Sequence, residues 1–175
     1  MYQISNIKTN NIKDCISISN QLLGTNYHDK PYFENAVKSN RGIVVIKNKE
    51  VVGFLIHDII IPIHSQKMYG ENLDIPVGHI DSVCVSPSFQ RNGIASLLIK
   101  KAIEILQKKC TSIYTLAWEY NGVINLKSTL NNSNFNEVNT LTLPWKNQCE
   151  KGEFICPVKE KGCICSGIVY KIDII

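Results

Sequence analysis

The sequence predicts a mixed α/β fold: one domain over residues 1–175, built on a mixed sheet. Three observations carry this reading. Segments rich in β-branched and apolar residues alternate along the chain with segments of helical apolar spacing. Hydrophobic residues make up 44% against 19% charged, enough to bury a core and to exclude disorder as the main state. Turn-forming residues (Gly24, the Asn48 and Lys49 pair, Ser86-Pro87-Ser88) fall at the junctions between segments.

Each element follows in order. Residues 2–7 read as a first strand. A helix over 11–23 has apolar residues at Ile12, Cys15, Ile16, Ile18, Leu22 and Leu23 and ends at Gly24. Pro31 opens a second short helix reaching about Ser39, since proline is tolerated in the first turn. A hairpin comes next, with strands over 42–46 and 51–61 around a turn at Asn48 and Lys49. Residues 62–76 are polar and carry Pro and Gly, so they read as a long loop. A strand over 77–85 is stopped by Ser86-Pro87-Ser88. The strongest helix runs from Gly93 to about Lys109. There Ile94, Leu97, Leu98, Ala102 and Ile105 form one stripe, which Ile99, Ile103 and Leu106 widen for packing on a sheet. A buried strand over 112–118, a helix over 121–130 and strands over 138–143 and 168–174 complete the chain.

The net charge of +4 is mild and scattered. It gives no argument for nucleic acid and suits a small anionic ligand. No apolar run reaches the roughly 20 residues of a membrane span. Residues 1–6 lack a basic and an apolar leader region, so a cytoplasmic location is expected.

The seven cysteines divide unevenly. Cys15, Cys84 and Cys110 sit inside periodic segments and read as buried thiols. Cys149, Cys156, Cys163 and Cys165 crowd into a Cys-rich insertion, residues 144–166, before the last strand. An odd count without an export signal argues against a full disulfide framework. Four thiolates match a closed tetrahedral zinc site, which would order a segment of little apolar content. The competing readings are a reduced hairpin tip and a facultative disulfide.

The chemistry concentrates in residues 79–99, a strand, a short loop and the start of the strongest helix. The first N–H groups of a helix lack internal partners, and the macrodipole adds partial positive charge there. Gly93 removes a Cβ that would block close approach, Ala95 keeps the next position small, and Arg91 adds a full charge. Such a loop can cradle a pyrophosphate. Upstream, His79 and Asp81 are two apart on the strand, so they share a face roughly 7 Å apart along it. A carboxylate beside an imidazole favours the charged ring and raises its basicity.

The loop Gln90-Arg91-Asn92-Gly93-Ile94-Ala95 resembles the acyl-CoA-binding motif of the GNAT superfamily of N-acetyltransferases, with Gln90, Gly93 and Ala95 at its three defining positions. The order of elements agrees. The resemblance implies a GNAT-like fold and transfer of an acetyl group from acetyl-CoA to a primary amine by direct attack in a ternary complex. It implies that the backbone groups of Val83 and Val85 pair with the pantetheine. The pyrophosphate would then sit on the N–H groups of Arg91, Asn92, Gly93, Ile94 and Ala95. An Asn early in the helix after the fifth strand often contacts the pantetheine; Asn125 and Asn121 are the candidates. His79 and Asp81 fall where arylalkylamine N-acetyltransferases carry two strand histidines acting in proton removal. The chain departs from the family at Leu130, where many members place a tyrosine as acid for the leaving thiolate. Tyr120 and Tyr170 are the remaining phenols near that role. His28 falls where this fold builds part of its acceptor pocket, His57 and His64 flank the 62–76 segment, and Trp118 reads as a packing residue. Two alternatives accompany this reading: a non-catalytic acyl-CoA-binding module, and a zinc-dependent interaction module on the same fold. The sequence is compatible with a homodimer.

Overall fold

In a computed structural model, which describes residues 1–158 and 162–174, the elements follow in chain order. They are β1 (Gln3–Asn6), α1 (Ile12–Leu22), α2 (Lys30–Lys38), β2 (Gly42–Lys47), β3 (Glu50–Ile60), α3 (Pro62–Tyr69), β4 (Val77–Val85), α4 (Ile94–Leu106), β5 (Ser112–Glu119), α5 (Lys127–Asn132), β6 (Asn136–Thr142), α6 (Lys146–Lys151) and β7 (Ser166–Asp173). The strands hydrogen-bond in the order β1-β2-β3-β4-β5-β7-β6. The β4–β5 pair is parallel, while β1–β2, β2–β3, β5–β7 and β6–β7 are antiparallel, so the sheet is mixed. No helix among the described residues is long and apolar enough to cross a membrane.

The chain divides into two compact units. The first comprises Met1–Ile56, Ser82–Leu98 and Trp145–Cys163. Its hairpin turns through Asn48 and Lys49, both at positive φ (52° and 69°), a two-residue turn whose twist matches its strands. Ile12, Cys15 and Ile18 of α1 are buried on one face. Gly24, at φ +119°, ends that helix region, and a Cβ there would lie 2.5 Å from the Ile155 carbonyl oxygen. Only glycine fits such an approach. The Asp29 carboxylate caps α2 by accepting from the Tyr32 N–H at 2.9 Å, with Pro31 in the first turn. Phe33 meets Phe54 edge to face at 5.3 Å in a core that also holds Ile18, Val44, Ile56 and Cys84. Burial pushes the Cys15 thiol up to about 12.

The second unit comprises His57–Asp81, Ile99–Pro144 and Ile164–Ile175. Its core gathers Tyr69, Val77, Tyr114 and Val169, with Leu116 and Leu141 against them. Gly78 lets β4 lie close to its neighbours, since a Cβ there would meet Ile113 at 3.0 Å and Leu106 at 3.2 Å.

Two segments differ from the sequence reading. Residues 62–76 are not all loop: α3 occupies the first half. It has little amphipathic pattern and is made by its ends. Pro62 opens it, Gly70 closes it in the left-handed conformation (φ 72°), and buried Ser65 bonds back to the Pro62 carbonyl at 2.8 Å. The helix expected over 121–130 begins only at Lys127. Asn121 and Gly122 take positive φ (51° and 76°), and the Glu119 carboxylate accepts from the Gly122 N–H, which spends the preceding residues on a turn.

Candidate active site

The loop after β4 is built within the first unit. Pro87–Phe89 makes one turn of 3-10 helix, and Arg91 then takes φ 60° and Gly93 φ 76° before α4 starts at Ile94. The Asn92 side-chain amide donates to the Phe89 carbonyl at 3.2 Å and to the Gln90 carbonyl at 2.9 Å, which holds the loop in shape. The Gly93 carbonyl accepts the first helical bond, from Leu97, so the N–H groups of Ile94 and Ala95 open α4 with no helical partner. Nothing lies within 4 Å of the position a Gly93 Cβ would take. Open space before unpartnered N–H groups at a positive helix end suits a phosphate. The Val85 carbonyl accepts from the Gln90 side-chain amide at 3.1 Å, which ties the strand to the loop. Among the described residues, the β4–β5 ladder pairs Gly78, His79 and Ile80 with Ile113, Tyr114 and Thr115. From Asp81 onward, among the described residues, β4 has no register partner on β5, and Val83 and Val85 lie on that stretch.

His79 and Asp81 belong to the second unit. The His79 side chain is 5% exposed, that of Asp81 34%, and Nε2 stands 3.6 Å from the Asp81 Oδ1. The other ring nitrogen, Nδ1, is 2.8 Å from the phenol oxygen of Tyr69. Tyr69, fully buried at the end of α3, stacks on Tyr114 at 4.7 Å and 29°. Burial first, then the nearby Asp81, Tyr114 and Asp58, push its phenol far above the ordinary tyrosine range. Sequence reasoning missed Tyr69 because it lay in a stretch read as loop. Pro62 and Gly70, eight residues apart, were the signal that a helix ran between them.

The remaining candidates separate. Asn121 and Asn125 both precede α5 rather than opening it, and Asn125 is exposed on a turn. Leu130 is buried in α5. The phenol oxygens of Tyr120 and Tyr170 are both buried, with no hydrogen-bond partner among the described residues. His28 is buried, stacked on Tyr32 at 3.9 Å and 2.6 Å from the Ser82 hydroxyl. His57 is buried as well, and His64 is exposed on α3. Trp118 stacks on Tyr120 at 6.1 Å.

Among the described residues no group of three or more His, Cys, Asp or Glu side chains is arranged to hold a metal ion. Cys165 is buried, while Cys149, Cys156 and Cys163 are half-buried. Residues 159–161 of the insertion lie outside the described residues. Nor is the segment a hairpin tip, because residues 146–151 form α6 and Ile155 bridges Thr25 through two backbone bonds, at 2.9 and 3.1 Å. Phe154 packs edge-on against Tyr27 at 5.0 Å. Backbone pairing and one aromatic contact tie residues 154–155 to the segment around Thr25 and Tyr27.

Residues 12–127 match the acetyltransferase (GNAT) family, and the chain belongs to it. Solved structures repeat the fold. Arabidopsis thaliana NAA60 in complex with a bisubstrate analogue superimposes with a TM-score of 0.75 at 15% identity, covering 99% of this chain and 98% of that one. The ribosomal-protein-S18-alanine N-acetyltransferase of Escherichia coli gives 0.68 at 15% identity, covering 99% and 94%. An N-acetyltransferase from Staphylococcus aureus Mu50 gives 0.70 at 18% identity, covering 99% and 98%. No curated protein matches the chain in sequence.

Proposed function

We propose that this chain transfers an acetyl group from acetyl-CoA to a primary amine by direct attack in a ternary complex. The observation that carries the reading is the loop from Gln90 to Ala95, with its unpartnered helix N–H groups and the open space before Gly93. The pyrophosphate of acetyl-CoA fits that charge and shape. Val83 and Val85 lie on the part of β4 that β5 leaves unpaired, which supports an extended pantetheine there. Family membership supports the same chemistry, and a fold neighbour, Arabidopsis NAA60, has been solved in complex with acetyl-CoA.

The amine arrives as an ammonium, which the half-exposed Asp81 carboxylate attracts. One N–H proton passes to His79. The freed lone pair forms the N–C bond, the C–S bond breaks, and its electron pair leaves with sulfur. The second amine proton ends on the thiolate, giving CoA as thiol and an amide, and His79 returns its proton to water. With Leu130 in place of a phenol acid, the thiolate leaves unaided; a thiol of pKa near 8.5 is adequate for that.

A panel of primary amines (small amines, polyamines, aminoglycosides, and peptides with free N-termini or lysines) incubated with acetyl-CoA tests the reading through release of free thiol. The expected result is amine-dependent thiol release with a matching acetylated product. Tight acetyl-CoA binding without turnover on any of these amines would instead indicate an acyl-CoA-binding module.

A further inference from the structure

Among the described residues, the His79 imidazole makes its short contact at the nitrogen turned away from Asp81. Nδ1 lies 2.8 Å from the Tyr69 phenol oxygen, within hydrogen-bond range, whereas 3.6 Å from Nε2 to Asp81 is too long for a hydrogen bond. A tyrosine hydroxyl can donate or accept, so the contact fits either ring tautomer. The two tautomers differ in consequence. With the ring proton on Nε2, the lone pair sits on Nδ1, sealed behind a fully buried phenol. With the ring proton on Nδ1, donated to the phenol oxygen, the lone pair sits on Nε2 and faces the half-exposed Asp81.

We propose that Tyr69 is a positioning residue: its phenol oxygen accepts from Nδ1–H and holds the His79 ring with Nε2 as the atom that takes the amine proton. This rests on the acetyl-transfer reading above. An accepting phenol suits both the neutral ring and the imidazolium, because Nδ1 carries a proton in each. The ring then gains and loses its proton at Nε2 without turning.

The surroundings fix the phenol for this task. The Asn139 side-chain amide donates to the Tyr69 carbonyl at 2.9 Å, and the Gly70 N–H closes α3 on the Gln66 carbonyl at 2.9 Å. The Tyr114 ring covers the Tyr69 ring, and its own hydroxyl donates to Glu71 at 3.5 Å. The charged and titratable groups about the pair come from every neighbouring element. Asp81 is on β4 itself, Asp58 on β3 and Tyr114 on β5, while Lys171 of β7 stands 5.9 Å from the Tyr114 ring and Glu71 follows α3. Burial first, then Asp81, Tyr114 and Asp58, keep the phenol protonated, so it serves as a neutral acceptor.

Nitrogen-15 NMR of the wild-type protein, recorded with the His79 ring neutral, reads the tautomer directly. The expected signal is the Nδ1–H form, and Tyr69→Phe should lose that preference. In kinetics with an accepted amine, Tyr69→Phe should lower kcat roughly tenfold, leave KM for acetyl-CoA unchanged and displace the acidic limb of the pH profile. A wild-type ring with its proton on Nε2 would overturn the proposal, as would a Tyr69→Phe enzyme with wild-type kcat and the same acidic limb. A wild-type protein that acetylates no amine would overturn the acetyl-transfer reading instead, and the tautomer measurement would still judge Tyr69.

Discussion

A buried histidine beside a partly exposed carboxylate divides the labour between them. In the proposed mechanism Asp81, partly exposed, attracts the ammonium, and His79, 5% exposed and in contact with Tyr69 at Nδ1, takes the proton. His79→Gln keeps the polarity but removes the titrating lone pair, and Asp81→Asn keeps the shape but removes the charge. Each is expected to lower kcat by roughly 10²-fold with acetyl-CoA affinity nearly unchanged, and His79→Gln is expected to lose the acidic limb of the pH profile. Steady-state kinetics across pH checks both. Wild-type kcat with an intact acidic limb in His79→Gln would leave the substrate's own free-base fraction as the source of the nucleophile. The spacing of His79 and Asp81 was legible in the sequence because strand side chains alternate faces. Tyr69 was not, since it ends a helix that was read as loop and lies ten residues before His79, so only the tertiary fold brings them together.

At the scale of elements, α3 carries the argument, because it delivers Tyr69. Its stability rests on its caps rather than on an apolar stripe, and Gly70 is the tightest of them. A Cβ there would lie 2.7 Å from the Asn139 amide and 3.0 Å from Leu141, on a backbone already at φ +72°. Gly70→Ala is therefore expected to destabilise the fold by about 1–3 kcal/mol, measured by denaturant unfolding. A loss below a few tenths would mean that the end of α3 yields freely and cannot hold Tyr69. Elements with strong signals, such as α1, β4 and α4, were readable within about three residues of their ends. Periodicity reports burial of one face, as in α1 and α4, whereas β4 is buried on both faces and is marked by its β-branched run and its stop at Ser86-Pro87-Ser88. α3 and the start of α5 were misread because capping and turn chemistry, not burial pattern, set their limits. In the insertion, the Thr25–Ile155 bridge is a long-range pairing that cysteine spacing does not encode.

For the molecule as a whole, buried acids set an alkaline limit. The unfolded chain releases the Cys15 proton near pH 9, whereas the folded chain holds it up to about 12. Between those values the unfolded state binds fewer protons, so stability present below pH 9 is lost as pH rises, by up to about 1.4 kcal/mol per pH unit from this thiol. Burial raises the phenols of Tyr69, Tyr114 and Tyr170 in the same direction. Unfolding free energies of the wild type and Cys15→Ala at several pH values should show the wild-type advantage shrinking above about pH 9; a constant difference would mean that the thiol titrates normally. The central claim is that the loop after β4 holds acyl-CoA by its phosphates, and calorimetric titration of acetyl-CoA into the wild type and Gly93→Asp tests it most directly. The substitution sets a side chain and a negative charge in the open space before the helix N–H groups, on a backbone at φ +76°. The account predicts at least a tenfold loss of affinity, about 1.4 kcal/mol, in a protein that remains folded by circular dichroism; equal affinity in a folded Gly93→Asp protein would contradict it.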